Sequence, residues 1–387
     1  MIYLFTATFP FGNAESFLED EILYLSRKFD EVQIIPLSGG MFKKREVPSN
    51  CNVHTPIIKS RLQKFIRGFF HQKTFLTYMK DFFQKGCLFD KVMFREWCAS
   101  YFNTNCALHD PYIRNLSLSP KDVCYFYWGK GLNPLSLFIS KDAKCVSRFH
   151  GEWDLWEETG HGYAPIRSIL AKRLNLAVFI SEKGETYFHQ RYPYCKTLVS
   201  RLGSRDMGTG TKSKDGYLRI VSCSAVYDLK RVPLIFESIC RIINKKVIWT
   251  HLGDGPDFEN LKEMVKAAPS NISVNLKGWI SHEEVLAYYK NNPVDVFVNL
   301  STNEGIPVSI MEAISFGIPV VATNVGGSSE IVNDQTGILI SANPTTEEAS
   351  RAIRNVVNGN LNPRGFWDKY YNAEKNYTEF ANVISNL

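Results

Sequence analysis

Residues 299–340 (NLSTNEGIPVSIMEAISFGIPVVATNVGGSSEIVNDQTGILI) hold three carboxylates, Glu304, Glu312 and Glu330, together with a proline and two adjacent glycines. Glu304 and Glu312 are eight positions apart. Such a pair can serve as acid and base on one atom, or as two acceptors for the hydroxyls of a ligand. The local pattern decides between these. Asp295–Leu300 (DVFVNL) is short and apolar and reads as a buried strand, followed by a polar loop over 301–306. Pro307 suits the first turn of a helix that runs to about Phe316, and Gly317 suits its stop. Ile318–Thr323 (IPVVAT) reads as a second buried strand, Gly326 and Gly327 as a turn, and 328–333 as a short helix. Glu304 then precedes the helix and Glu312 lies more than a turn inside it, which separates them too far to work on one atom. Two anchors on one extended ligand fit better, with the helix N-terminus attracting an anion. A nucleotide-sugar has that form: sugar hydroxyls, a diphosphate, ribose hydroxyls. The plainer reading makes Glu304 a loop acid and Glu312 a solvated helix residue. Against it, Glu312 stands in an apolar run (IMEAISF), where an ionised carboxylate is costly without a partner.

Further polar groups fall at the ends of other strand-like runs. Lys230 and Arg231 close the loop SCSAVYDLKRV (222–232) before a helix. Cations at a helix start oppose its dipole, so an anionic partner is expected, and a diphosphate leaving group would be stabilised there. A solvated helix start is the alternative. His251–Pro256 (HLGDGP) is a strand followed by a turn containing Gly253 and Gly255, and Lys277-Gly278-Trp279 precedes another helix. In the first half, Phe9–Phe17 (FPFGNAESF) follows the first strand. It offers Phe9, Gly12, Asn13 and Glu15 as shapers of an acceptor site, with Glu15 equally readable as a first-turn helix acid. His150-Gly151 follows a strand ending at Phe149; a lone histidine there is more often structural.

The elements that must position these groups alternate strand and helix throughout, the α/β pattern. Strands are expected at 2–7, 32–36, 123–128, 145–149 and 176–180, then at 218–222, 247–252, 272–277, 295–300, 319–323 and 337–340. Helices are expected at 15–28, 166–174 and 183–191, and between the later strands. The polar stretch 204–215 (SRDMGTGTKSKD) reads as a linker. With 387 residues and 44% hydrophobic content, the chain has room for two globular domains. No run is long and apolar enough for a transmembrane helix, and the N-terminus opens on a strand with no basic region before it, so no signal peptide is expected. Nine scattered cysteines form neither a C-x-x-C pair nor a zinc spacing, which favours a reducing, cytoplasmic setting.

The segment from Glu304 to Val332, with E-x7-E, EA, GIPVVAT and GGSSEIV, resembles the signature of retaining glycosyltransferases of family 4, within glycosyl transferases group 1. The likeness runs over nearly the whole chain and suggests the bacterial polysaccharide-biosynthesis type. It implies an α/β GT-B fold of two Rossmann-like domains facing across a cleft. The implied division is an acceptor domain over 1–204, a donor domain over 205–365, and a terminal helix over 366–387 that returns to the first domain. It further implies that Glu304 contacts the donor sugar and Glu312 the ribose. Gly305, Ile306 and Val308 then lie near the phosphates, with Gly253 and Gly255 below the nucleotide. The R-x-H-G pattern at 148–151 is similar to a motif whose histidine, here His150, reaches the donor sugar. Relatives more often read H-G-x-D, whereas Glu152 and Trp153 both precede Asp154 here. Where many relatives carry G-R-x-x-x-x-K, Ala225 stands five residues before Lys230, so either Arg231 takes over or one contact is missing.

The implied activity is a hexosyltransferase, with Glu304, His150 and Lys230 catalytic. A sugar passes from a UDP- or GDP-sugar to a hydroxyl of a glycan or lipid-linked glycan, with retention and without metal or other cofactor. A nucleotide-sugar 2-epimerase of similar architecture and a non-catalytic glycan-binding scaffold are the rival classes. Residues 57–97 carry nine cations against three acids, an excess equal to the whole chain's +6, and eight phenylalanines. This composition fits either an anionic membrane surface, which makes the protein peripheral on the inner face of the cell membrane, or a helical insert whose Phe side chains form core. No nucleic-acid-binding module accompanies the patch, so nucleic acid is not expected as a partner.

Overall fold

The computed structural model describes residues 1–12, 14–151, 154–157 and 163–387. They form two units, Met1–Leu202 with Glu374–Leu387, and Gly203–Ala373. The first unit is built on seven strands: β1 (Ile2–Thr6), β2 (Val32–Pro36), β3 (Cys51–Val53), β4 (Val123–Phe126), β5 (Lys144–Phe149), β6 (Leu176–Phe179) and β7 (Thr197–Val199). Their order is β3-β2-β1-β4-β5-β6-β7, and every pair is parallel. Runs such as IYLFT and LAVF are buried residue by residue, as a sheet covered on both faces requires. Tyr3 and Phe5 enter one layer, with Phe5 stacked on Phe126 at 4.6 Å, while Ile2 and Leu4 enter the other. The two short strands β3 and β7 have no counterpart in the sequence expectations; three residues are too few to show a period.

The second unit has six strands: β8 (Leu218–Cys223), β9 (Val247–Leu252), β10 (Ile272–Leu276), β11 (Val296–Asn299), β12 (Val320–Thr323) and β13 (Gly337–Ile340). They too are all parallel, in the order β10-β9-β8-β11-β12-β13. In each sheet the chain reverses direction of travel once, between β1 and β4 and between β8 and β11. The crevice beyond the carboxyl ends of such a strand pair is where open α/β sheets bind ligands.

The expected single helix over 366–387 is two helices, Pro363–Tyr370 and Ala373–Ser385. Between them the Tyr371 carbonyl accepts the Ser204 amide, and the Ala373 amide donates to the Ser204 carbonyl, so the backbone leaves the helical ladder. The second helix puts Phe380, Ala381 and Ile384 into the core of the first unit beside Leu18 and Ile22. Beneath it lies a buried ion pair. Arg148 donates to Glu21 at 3.2 Å, to the Tyr125 hydroxyl at 2.6 Å and to the Ser200 carbonyl, with its guanidinium 4.4 Å from the centre of the Phe380 ring. The stretch 204–215 is no free tether. Gly210 donates to the Phe316 carbonyl, Thr211 accepts from the Val294 amide, and the Ser213 amide donates to Asp295.

Candidate functional site

Beyond β8 and β11 two loops meet. The first runs from Ser224 through a 3-10 turn at Asp228–Lys230; the second joins β11 to the helix Val308–Ser315. The Thr302 amide donates to the Leu229 carbonyl at 2.8 Å and fixes one loop against the other. Lys230 and Glu304 are thereby brought together, with Nζ to Oε1 at 2.6 Å. The same oxygen accepts from the Ser301 hydroxyl at 2.7 Å and from Asn299 Nδ2 at 3.1 Å. Asn299 in turn accepts the Ser301 amide. One oxygen of Glu304 is therefore held by three donors, while Oε2 meets no donor among the described residues. Neither Asn299 nor Ser301 figured in the sequence expectations; a polar residue closing an otherwise apolar strand was the available signal.

The glycines set the backbone of this site. A Cβ on Gly326 would stand 1.7 Å from the Glu304 carbonyl oxygen, and one on Gly327 would stand 2.2 Å from that of Gly305. The Gly327 amide donates to the Gly305 carbonyl at 2.8 Å, so the turn is a wall against which the Glu304 loop rests. Gly253 and Gly255, expected below a nucleotide, have their open sides filled by protein: a Cβ would fall 1.9 Å from the Ser224 oxygen and 2.4 Å from the Val226 oxygen. They let the 224–226 loop lie against β9's continuation. Pro307 is the N-cap of its helix, in extended conformation, not a first-turn residue, and no side chain caps the helix. Ile306 is buried under Gly327, and Gly305 is exposed.

Arg231, expected beside Lys230 as a second phosphate-binding cation, does other work. Held at φ 46°, it donates to the carbonyls of Leu300, Ser301 and Ala342 and to Asn343 Oδ1. The guanidinium is spent on clamping the Glu304 loop, and burial lowers its pKa. Glu312 is buried (6% exposed) and accepts from His282 Nε2 at 2.7 Å. His282 opens a helix (His282–Asn291) whose Ser281 and Glu284 form a capping box. The sequence reading passed it over, since its partner lies thirty positions away. Burial, and then the nearby Glu312 charge, pushes the Cys223 thiol up to about 12.

In the first unit, the β1–β4 crevice is lined by Thr6, Ala7, Phe126, Trp128 and Lys130, around a cavity of about 210 Å³. Lys130 pairs with Glu96 at 3.1 Å. His150 packs among Phe17, Tyr127 and Trp128, the last of which also lines the cavity. Its Nε2 donates to the Tyr127 carbonyl at 2.9 Å. Burial, then the Arg148 charge, pushes its pKa down to about 3, so the ring is neutral and Nδ1 presents a lone pair. Asp154 is a loop anchor: its carboxylate accepts the amides of Gly129, His150 and Gly151.

The acceptor candidates fare differently. Phe9 is wholly buried in the core beneath Arg45, so it cannot touch a ligand. Glu15 lies ahead of the helix Leu18–Lys28 and is itself buried; its two oxygens accept the amides of Ala7, Thr8 and Phe9 and the Trp128 indole N–H at 2.6 Å. It staples the loop after β1 and has no oxygen left for an acceptor. Gly12 turns at φ 68°, and Asn13 lies outside the described residues. Among the described residues no group of three His, Cys, Asp or Glu is placed to hold a metal, and no helix is long and apolar enough to cross a membrane.

Residues 210–376 match the family model described as glycosyl transferases group 1. The amylovoran biosynthesis glycosyltransferase AmsK of Erwinia amylovora is 26% identical over 212 residues, 50% of this chain and 52% of that protein. The chain spans about half the length of such curated relatives. Two solved structures align over the full length of both chains at 16% identity. They are the lipopolysaccharide outer core galactosyltransferase WaaB in its apo form, with a TM-score of 0.65, and Anabaena Alr3699/HepE in complex with UDP, with 0.66. The Lys230–Glu304 site thus lies inside the segment that matches the glycosyl transferases group 1 model, and the chain that carries it has the α/β GT-B fold of two Rossmann-like units.

Proposed function

We propose that this protein is a retaining glycosyltransferase that moves a sugar from a nucleotide-sugar to a hydroxyl of a glycan acceptor in the assembly of bacterial surface polysaccharide. The observation that carries this reading is the Glu304 carboxylate. One oxygen is fixed by Lys230, Asn299 and Ser301, the other is open, and an uncapped helix start stands beside it. The open oxygen accepts a sugar hydroxyl and the helix amides receive the diphosphate. Glu312, steadied by His282, takes the ribose hydroxyls. As the bond from the anomeric carbon to the diphosphate oxygen breaks, negative charge grows on the leaving group. Lys230 and the helix amides stabilise it there. The acceptor oxygen bonds to the same face of the anomeric carbon, and its proton passes to the departing phosphate oxygen. His150 Nδ1 offers an acceptor for a hydroxyl of the donor sugar. The positive charge comes from protein groups, so no metal is invoked.

The amylovoran relative is named for polysaccharide biosynthesis, which supports a glycan acceptor, and one structural neighbour holds UDP, which favours a uridine donor. The test is a panel of UDP- and GDP-sugars. The expected result is thermal stabilisation by one donor, glycosyl transfer to a glycan acceptor with the configuration kept, and turnover unchanged by a chelator. Epimerised sugar nucleotide formed without acceptor would assign the chain to the epimerases instead, and the absence of any donor binding would make it a scaffold.

A further inference from the structure

Between β3 and β4 the first unit carries an insert whose helices Arg61–Gly68, Gln72–Lys85 and Lys91–Leu108 fold on a small aromatic core of Tyr78, Trp97 and Tyr101. Most of the phenylalanines of this insert are not in that core. Leu62, Phe65, Ile66 and Phe69, spaced as one apolar helix stripe, are 60–70% exposed. Leu76 is 77% exposed, Phe83 73% and Phe89 92%. Of the twenty large hydrophobic side chains exposed among the described residues, eleven lie between positions 62 and 94. Such a concentration marks an interaction surface. Cations are set among these side chains: Lys59, Arg61, Lys73, Lys80, Lys85 and Lys91 are exposed, and none forms an ion pair among the described residues. The acids of the segment do not offset them. Asp81 accepts from Tyr163 and the Ile166 amide, Asp90 caps a helix, and Glu96 pairs with Lys130.

We propose that this insert docks the protein on an anionic lipid surface, the aromatic and aliphatic side chains entering the headgroup boundary and the lysines meeting lipid phosphates. Charge selects this occupant. A second copy seated on the same patch would set one cationic face against its twin, and protein interfaces are depleted in lysine. Nucleic acid would answer the cations but leave the apolar stripe in water. A bilayer surface satisfies both, as for amphipathic helices that lie in the interface plane. The proposal stands apart from the donor chemistry, and vesicle binding is read without any sugar, so either can fail alone.

The test is co-sedimentation of the full chain with vesicles of phosphatidylglycerol and phosphatidylcholine, against vesicles of phosphatidylcholine alone. The expected result is binding to the anionic vesicles, weakened by salt. K73E with K80E should lower it more than about tenfold, since each cation near the surface is worth about 1 kcal/mol. F65S with F69S should lower it comparably at unchanged thermal midpoint, because both rings already face solvent. Equal binding to both vesicle types, no binding, or variants indistinguishable from the parent would overturn the proposal. So would a concentration-dependent dimer abolished by F65S with F69S, which would name a second copy as the occupant.

Discussion

Each unit places a glutamate just past the carboxyl end of the strand at its reversal point: Glu15 after β1, and Glu304 after β11. Their surroundings differ in how many lone pairs are spent. Both oxygens of Glu15 are consumed by three amides and an indole of its own unit. Glu304 has one oxygen held by three donors and one open. The same contrast separates neighbours in sequence: Arg231 gives its fork to carbonyls, while the Lys230 ammonium, among the described residues, meets the Glu304 carboxylate alone. Position at the crevice makes a residue a candidate; unspent hydrogen-bonding capacity is what separates ligand contact from scaffolding.

Exchanging the two glutamates' amides breaks or sharpens this contrast most directly. Glu304→Gln should lower kcat by about 100-fold or more, the loss of one preorganised electrostatic group, with little change in Tm. Glu15→Gln should do the reverse, costing about 2–4 kcal/mol in denaturant unfolding and leaving kcat of the folded protein near the parent's. A Glu15 variant that is stable but inactive would erase the distinction. Among the cations, Lys230→Ala should lower turnover by about tenfold to 100-fold, whereas Arg231→Lys should cost about 1–3 kcal/mol of stability with a much smaller kinetic effect.

Acid sharpens the same comparison between the units. The pKa of His150 is about 3 and that of His251, buried in β9 with Nδ1 at the Ser222 hydroxyl of β8, about 4, both lowered chiefly by burial. Unfolded imidazoles take protons below about 6.5, so the unfolded state binds more protons there. Stability is full above that pH and is lost as pH falls, by about 1–2 kcal/mol per imidazole by pH 5. His150→Gln and His251→Gln should each flatten the unfolding profile by one such step; unchanged slopes would refute the assignment. The smallest effect expected is His282→Ala. It should weaken donor binding about twofold to tenfold through Glu312 with kcat nearly kept, and the loss should be absent in a Glu312→Ala background.

The sheets were legible because every central strand is a buried apolar run, and their alternation with helices dictates the parallel order. The Glu304 segment was legible because its acids interrupt such runs. The partners were not, since Asn299, Ser301 and His282 gain their roles from contacts that spacing does not encode. Arg231 misled because its sequence position, a cation before a helix, is the same whether its fork meets phosphate or carbonyls. Phe9 and Glu15 misled likewise: both follow a strand, and only the packing shows that they face inward. In the insert, Phe-rich helices read equally as core or as surface until exposure separated Tyr78 and Trp97 from Phe65 and Phe69.

The return of the last helix to the first unit has a consequence for synthesis. Phe380, Ala381 and Ile384 complete a core whose other buried members lie between Ile2 and Val178, and the Phe380 ring closes over Arg148. A nascent chain that has emerged as far as Leu202 therefore has an open groove above a buried charge. At ordinary elongation rates that groove waits roughly 10–40 s for its cover. During that interval the second unit is made and can fold on its own sheet, so the unit that begins first is finished last. A chain stopped short of Phe380 leaves Arg148 uncovered, and so exposes the truncation to the cell's quality control without any separate signal.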